Sequence, residues 1–272
     1  MNKNGANGIA RPGRTATCRG FILPVRCLLL AFVLSWGSTM TWAGPPFATD
    51  DPEPVDYGHG EFYMASQHAK TADGWAGSPI LMELNYGIVS NVQLHLVAPM
   101  AYDAPEHGTT HSGYGDTEIG AKYRFIDETS ICPQAGIFPM VEIPTGNADR
   151  NLGSGHVGAF LPLWLQKSWG EENREWTAYG GGGYHINPGD GNRDWTFLGV
   201  LLQRQVTSHL TVGGEVYHRS PTTTDDEEDT AFNIGTIIDF SEHHHILLSV
   251  GRSIDGPTDF QAYAGYQLTF GP

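Results

Sequence analysis

The side chains of this chain that could do chemistry are charged or titratable, and they recur on one face of successive short segments. They are Glu83, His95, Asp116, Glu118, Lys122, Arg124, Glu142, Glu215, Arg219 and Asp239. In an extended chain, residues separated by an even number share a face, so Glu118 lies beside Lys122 and Glu215 beside Arg219. If these segments surround a bore, side chains with charges of both signs have two possible roles. They either form a hydrogen-bonded network that fills the bore, or they line a narrow water path and set its solute selectivity.

Catalysis is a weaker interpretation of the sequence. Ser154 lies close to His156, and His218 lies close to Ser220, as a membrane-embedded hydrolase of the Ser–His type would need. Neither stretch resembles a nucleophile motif. The four glycines at 180–183 are not followed by Lys and Ser or Thr, which excludes a phosphate-binding loop. We therefore predict no enzymatic activity and no cofactor, and keep lipid hydrolysis as a minor alternative.

Two further clusters have a structural and a functional interpretation. The histidines at 243–245 could bind a metal, but neighbours in an extended chain point in opposite directions, so a solvated turn is favoured and no metal site is predicted. The acidic run at 225–229 is either a solvated loop or a site where divalent cations bridge to the phosphates of surrounding lipopolysaccharide.

The elements that must position these side chains are β-strands. From residue 61 onward the chain divides into apolar-alternating segments of about ten residues, the length of a tilted transmembrane strand. The segments are 61–68, 79–87, 92–100, 116–126, 133–143, 156–167, 175–186, 195–206, 210–219, 230–240, 244–252 and 259–270. Their even number suits a single-chain, up-and-down antiparallel transmembrane β-barrel of twelve strands.

The connections between these segments alternate in length. Short ones are expected at 89–91, 127–131, 168–173, 207–209 and 241–243, and longer ones at 69–78, 101–115, 144–155, 187–194, 220–229 and 253–258. Short periplasmic turns opposite longer outer loops are typical of outer-membrane barrels. This asymmetry predicts that both termini face the periplasm.

The two faces of the strands distinguish a membrane barrel from a soluble β-sandwich, which would also alternate. In the segment 116–126, Ile119, Tyr123 and Phe125 share one face, and Glu118 and Lys122 share the other. Aromatic residues fall near the ends of the apolar faces, as in an interfacial girdle, and charges of both signs on the polar face suit a wet lumen. We therefore expect the apolar face to contact lipid.

The last segment, 259–270, alternates strictly and ends on Tyr266, Leu268 and Phe270, two residues before the C-terminus. A terminal strand of this form looks like the signal that the outer-membrane barrel-assembly machinery reads. Closing the barrel requires it to pair with the first segment, 61–68.

Residues 1–43 carry five basic and no acidic residues, with a short apolar stretch followed by small residues, and so predict a cleaved secretory signal. Removing them from a chain with 15 basic and 30 acidic residues leaves 10 against 30, a net charge of −20. Such a protein should repel nucleic acid. The remaining chain keeps a single cysteine, Cys132, which rules out an internal disulfide.

Residues 44–60 are rich in proline and acidic residues, and therefore cannot form a central strand or a stable helix. Two interpretations stay open. The segment is either a periplasmic lead-in to the barrel or a small plug inside its lumen. The predicted domains are thus the signal 1–43, this segment, and the barrel 61–272.

Several stretches resemble those of a known family. They are PPFATDDPEPVD at 45–56, GYGDTEIGAKYRF at 113–125, FPMVEIPTGN at 138–147, FLPLWLQKSW at 160–169, WTAYGGGGYHINPG at 176–189 and LLQRQV at 201–206. Together they are similar to the outer-membrane β-barrel family labelled "meta-pathway of phenol degradation". The resemblance implies passage of phenol-like compounds across the outer membrane, and it carries over no site residues.

The sequence therefore predicts an outer-membrane channel for passive diffusion of a small solute, set among lipid and lipopolysaccharide. Absence of any nucleotide-binding motif indicates transport down a gradient. The alternative is a structural outer-membrane protein whose bore is filled by side chains.

Overall fold

The computed structural model describes residues 44–171 and 174–272, and the predicted signal 1–43 lies outside them. The described strands are β1 (Gly60–Thr71), β2 (Gly74–Val89), β3 (Val92–Pro105), β4 (His111–Tyr114), β5 (Thr117–Ile126), β6 (Gln134–Ile137), β7 (Met140–Ile143), β8 (Gly158–Trp169), β9 (Trp176–Ile186), β10 (Trp195–Thr207), β11 (Leu210–Arg219), β12 (Asp229–Asp239), β13 (His244–Asp255) and β14 (Phe260–Phe270). One 3₁₀ turn spans Ala148–Arg150. None of the described helical residues forms a segment long and apolar enough to cross a bilayer.

These strands form one closed antiparallel barrel with twelve positions around it. β4 and β5 together occupy one position, and so do β6 and β7, because each pair is a single strand interrupted by two residues. The chain closes between its ends, where β1 pairs with β14 from Gly60 opposite Phe270 to Lys70 opposite Phe260. The predicted fold and the predicted closing pair are both confirmed.

The interruption between β6 and β7 has a local cause. Pro139 has no N–H to donate to a neighbouring strand, so the regular pairing stops there. Its carbonyl oxygen still accepts a hydrogen bond from the Ala121 N–H, at 3.1 Å. The adjacent Phe138 is turned inward and is 1% exposed. The break therefore places an aromatic ring inside the barrel.

The two faces of the wall separate as the sequence predicts. Leu198 and Ile234, on the outer face, are 65% and 62% exposed, whereas Glu215 and Asn233, on the inner face, are 2% and 1% exposed. A soluble protein would bury the former and hydrate the latter. The apolar outer surface is suited to hydrocarbon, and the polar residues lie in the lumen.

Two of the longer predicted loops are wrong in extent. The connection predicted at 69–78 is a two-residue turn at 72–73, because β1 and β2 stay paired as far as Thr71 and Gly74. The connection predicted at 101–115 likewise contains the end of β3 and all of β4, joined by residues 106–110. Beyond the lipid layer a hairpin needs no apolar face to keep its backbone hydrogen bonds, so the hydrophobic pattern ends before the pairing does.

The four glycines of β9 let the neighbouring strands approach closely, so we expect a substitution at Gly181 to be destabilising. A Cβ at Gly181 would collide with the Leu163 carbonyl oxygen and lie 3.0 Å from the Trp164 ring, whereas a Cβ at Gly214 would first meet the Asn233 carbonyl at 3.4 Å. We expect Gly181→Ala to lower the free energy of unfolding by about 2 kcal/mol or more. Urea titration in micelles, with Gly214→Ala as the matched control, measures the difference. Equal unfolding midpoints would contradict this reading of the wall.

Candidate functional site in the barrel lumen

Residues 44–56, called the N-terminal segment below, lie within the barrel lumen. The backbone N–H groups of Ala48 and Thr49 both donate to the Glu215 carboxylate, each at 2.8 Å. On the neighbouring wall, the Ser249 hydroxyl donates to the carbonyl oxygen of Pro46. At the other end of the segment the Val55 N–H donates to Gln93 Oε1 at 2.9 Å. The segment is thus held by side chains of β3, β11 and β13.

The segment is available for these contacts because it forms no strand of its own. Four prolines fix its φ angles and remove four backbone donors. One tight turn, closed by the Phe47 N–H on the Gly44 carbonyl at 2.8 Å, directs the Phe47 ring at the wall. Phe47 is 1% exposed.

Inward-facing glycines of the wall leave the space in which the segment lies. Phe47 ring atoms would be 3.1 Å from a Cβ at Gly213 and 2.8 Å from one at Gly235. A Cβ at Gly199 would collide with Thr49 Oγ1. A Cβ at Gly136 would likewise meet Pro52, and a Cβ at Gly87 would meet the Asp56 carbonyl oxygen. The glycines concerned are Gly87, Gly136, Gly199, Gly213 and Gly235. A side chain at Gly87, Gly136, Gly213 or Gly235 would displace the segment, whereas one at Gly199 would first displace the Thr49 hydroxyl.

Glu215 anchors a buried polar network between the segment and the wall. Besides the two backbone donors, its carboxylate accepts from Asn233 Nδ2 at 2.6 Å. Asn233 in turn accepts from Gln261 at 2.8 Å, and Gln261 accepts from the Tyr217 hydroxyl at 2.9 Å. Hydrogen bonds to a charged acceptor are stronger than neutral ones, so this network fixes the segment as well as the wall.

The predicted cations of β5 also contact the segment. Lys122 Nζ lies 3.0 Å from Asp50 Oδ1 and 3.4 Å from Asp51 Oδ1, above the Phe138 ring. Arg124 lies 3.5 Å from Glu53 in a more exposed position. The N-terminal segment therefore contacts Lys122, Arg124 and Glu215, although it lies far from all three in sequence.

Three other predicted residues satisfy one another within the wall. His95 Nε2 lies 3.0 Å from Glu118, and its Nδ1 lies 2.7 Å from Asn85 Oδ1. Asn85 Nδ2 donates to Glu83 at 2.7 Å. The arrangement extends across β2, β3 and β5 and leaves acidic oxygens beside the bore.

The remaining predicted residues lie toward the ends of the barrel. Asp116 accepts hydrogen bonds from the Gly146 and Ser154 N–H groups of the loop between β7 and β8. Glu142 lies 4.0 Å from His185 Nε2, and Asp239 lies 2.6 Å from His245 Nδ1. Arg219 is half-buried at the C-terminal end of β11. These four are not part of the cluster that holds the segment.

The alternative chemical clusters do not assemble a reacting centre. Ser154 Oγ donates to Asp116, and the His156 ring contacts the Ser154 carbonyl oxygen rather than its hydroxyl. The three histidines at 243–245 contact three different partners, Thr269, Tyr266 and Asp239. Among the residues described, no group of three or more acidic, histidine or cysteine residues could hold a metal ion.

The prediction of a solvated acidic run at 225–229 is wrong at its last residue. Asp229 is 1% exposed, and it accepts hydrogen bonds from the hydroxyls of Ser253 and Thr258. Two hydroxyl donors replace the water that this carboxylate would otherwise need.

An aromatic cluster on the inner face of β7–β12 was not predicted. It contains Phe138, Met140, Phe160, Trp164, Trp195, Phe197, Tyr217 and Ala231. His185 stacks on Trp195 with ring centroids 4.6 Å apart. The sequence could have indicated this cluster, because Phe160 and Trp164 share their strand face with Gln166 and not with the lipid-facing leucines.

Two cavities in the described part of the lumen adjoin the N-terminal segment. The inner cavity, about 440 Å³, is lined by the segment together with polar residues such as Gln93 and Gln203. The outer cavity, about 340 Å³, is lined by apolar residues such as Leu81 and Val97 and by the ends of β1–β3. Pro45 of the segment lines both. This proline therefore stands where the two cavities meet.

Both cavities are acidic. The carboxylates on the inner cavity are Asp50, Asp51, Glu53, Glu61, Glu83 and Glu175, and Lys122 is the one lysine or arginine among its described lining residues. The outer cavity is lined by Asp73, Asp103, Glu83, Asp116, Glu118 and Glu142, with neither lysine nor arginine among its described lining residues. A water path through these cavities would attract cations and repel anions.

A closed antiparallel barrel with an apolar outer face and a polar lumen has the architecture of outer-membrane β-barrel proteins. More specifically, the chain belongs to the family described as "Putative MetA-pathway of phenol degradation", whose model matches residues 73–270. The family resemblance seen in the sequence is thereby confirmed.

Among solved structures, the fold is similar to that of the COG4313 outer membrane channel from Pseudomonas putida F1. The two share 18% identity over 81% of this chain and 98% of the other, with a TM-score of 0.64. It is also similar to the KdgM porin, at 12% identity over 76% of this chain and 99% of that one, with a TM-score of 0.50. At these identities the likeness concerns the fold. Comparison with curated proteins gives no match.

Proposed function

We propose that this protein is a passive outer-membrane channel for small phenol-like solutes, with the N-terminal segment as its internal constriction. The observation that carries the proposal is the position of Pro45 at the meeting point of two lumen cavities, on a segment seated in glycine recesses of the wall. The outer cavity offers apolar walls beside its carboxylates, which suits an aromatic ring bearing a hydroxyl.

Export and assembly fit the same proposal. The signal 1–43 directs export and is then removed in the periplasm, and β14 is read there by the barrel-assembly machinery through Tyr266, Leu268 and Phe270. Short turns such as 90–91 and 208–209 would face the periplasm, as would both termini. This orientation is tested by placing protease-cleavable tags in a short turn and in the 144–157 loop. Protease added to intact cells should then cleave only the tag in the loop.

A structural protein with a filled bore is the second candidate, and the inner aromatic cluster favours it. Trp164 and Phe138 are 0% and 1% exposed, so this part of the lumen is packed like a protein core. The two candidates differ in one measurement. Planar-bilayer recording of the purified barrel gives discrete current steps if it is a channel and none if the bore is filled.

The acidic lining predicts the charge selectivity of the current. Under a KCl gradient we expect the reversal potential to show that K⁺ permeates more readily than Cl⁻. Neutralising Glu61 and Glu175, which line the inner cavity, should lower this preference. Glu242→Gln, in an exposed turn, is the matched control and should leave it unchanged. Equal permeability of the two ions in the unmodified protein would contradict the assignment of these cavities to the conducting path.

A further inference from the structure

We infer that the amino group of Gly44, freed when residues 1–43 are removed, binds the Asp50 carboxylate and completes the seat of the N-terminal segment. This inference rests on the proposed function in one respect, the cleavage after Ala43 that export requires. It adds a ligand site inside the lumen whose occupant is an ammonium group of the chain itself.

The backbone of Gly44 already lies against this carboxyl group. A Cβ at Gly44 would be 2.8 Å from Asp50 Oδ1 and 3.1 Å from its carboxyl carbon. The turn closed by the Phe47 N–H on the Gly44 carbonyl holds the residue in this place. An amino group is bonded to the same Cα, and once it is free, rotation about the Cα–C bond can bring it to the position of that Cβ, within ion-pair reach of Asp50. Only glycine leaves room for so close an approach.

The carboxylate of Asp50 is only partly satisfied by its other neighbours. The residue is 2% exposed, and Oδ1 accepts both the Asp51 N–H at 2.7 Å and Lys122 Nζ at 3.0 Å. The other oxygen, Oδ2, is buried and has no hydrogen-bond partner among the described residues. Lys122 is also shared with Asp51, at 3.4 Å. Two carboxylates and one ammonium leave a net negative charge in a buried place, which is costly.

The titration of Asp50 points the same way. Burial raises the pKa of Asp50 to about 7, because loss of hydration disfavours the anion more than Lys122 stabilises it. A second cation beside the carboxylate would offset that loss. Before processing, the Gly44 nitrogen belongs to a peptide bond and carries no charge. Signal removal is thus the step that supplies the missing cation.

The test is the reactivity of this amino group in mature protein purified from outer membranes. Intact mass should show a chain that starts at Gly44. An acetylating N-hydroxysuccinimide ester at pH 7 reacts only with unprotonated amine, so a paired ammonium is protected. We expect the Gly44 amine to react about tenfold more slowly in the unmodified protein than in Asp50→Asn, the equivalent of one pKa unit. Asp56→Asn, which changes an exposed acid of the same segment, should match the unmodified protein.

The variant Lys122→Met tests whether the Gly44 amine is protected by its ion pair with Asp50 or only by burial. It removes the other cation of Asp50, so pairing predicts protection at least equal to that of the unmodified protein. Equal reactivity in the unmodified protein and in Asp50→Asn would overturn the inference, as would a mature chain starting at another residue. Folding is checked by the heat-dependent gel shift, and Asp50→Ser replaces Asp50→Asn if the latter does not fold, again with faster acetylation expected. None of these readouts requires that the barrel conducts.

Discussion

Deletion of residues 45–55 will raise the single-channel conductance several-fold. These residues carry Phe47, Thr49, Asp50 and the prolines that occupy the lumen, and Pro45 lines both the inner and the outer cavity. Removing them joins two cavities of about 440 and 340 Å³ into one path, and conductance rises with the open cross-section of a pore. The barrel itself should survive, because β1 starts at Gly60 and keeps its pairing with β14.

The matched control for this deletion shortens the chain elsewhere by a comparable amount. Removing residues 147–155 from the loop between β7 and β8 takes away a stretch with a single 3₁₀ turn and leaves the segment in place. Its conductance should stay closer to that of the unmodified protein than to that of the 45–55 deletion. An unchanged conductance in the 45–55 deletion would show that the segment does not limit the current.

Replacing Glu215 by alanine should release the segment without removing it. The carboxylate accepts three hydrogen bonds, from Ala48, Thr49 and Asn233, and each bond to a charged acceptor is worth roughly 1.5–3 kcal/mol. The segment should then leave its seat for much of the time, and recordings should show long openings at a conductance near that of the deletion. Glu215→Gln, which keeps one amide oxygen as an acceptor, should have a smaller effect.

Asp239→Asn is the control for Glu215→Ala. Asp239 is another inward carboxylate, but it bonds to His245 near the opposite end of the strand pair and does not contact the segment. Its current should resemble that of the unmodified protein. Equal gating in Glu215→Ala and Asp239→Asn would mean that Glu215 stabilises the wall alone.

The architecture could be predicted from the sequence because alternation and closure are local or terminal properties. Each strand shows its two faces in its own residues, and the pairing of β1 with β14 follows from the need to leave no free edge. The ends of the strands could not be predicted as well. Around Thr71 and Gly74 the pairing continues where side chains meet water on both faces, so no hydrophobic pattern marks it.

The lumen-facing residues could be predicted from parity, but their partners could not. Lys122 and Glu215 are separated by 72 and 167 residues from the partners Asp50 and Ala48, and nothing in either stretch specifies that distance. The glycines that receive the segment carry no pattern of their own. The inner aromatic cluster shows the limit of the expectation that apolar side chains face lipid, because Trp164 faces the lumen.

The central claim is that small solutes cross this barrel past the N-terminal segment. A reversible lock tests it most directly, because a Cβ at Gly199 would lie against Thr49 Oγ1. Cysteines at both positions, in a Cys132→Ser background, are placed to form a disulfide between segment and wall.

The measurement is the release of tyramine, a phenol that carries an ammonium group, from proteoliposomes. We expect slow release with the disulfide formed and a several-fold faster release after reduction. The single-cysteine proteins, Thr49→Cys and Gly199→Cys, should show no response to the reductant. The anion 4-hydroxyphenylacetate, similar in size and shape, should leave more slowly than tyramine in every reduced sample. Release of tyramine at the same rate from oxidised, reduced and protein-free vesicles would contradict the account.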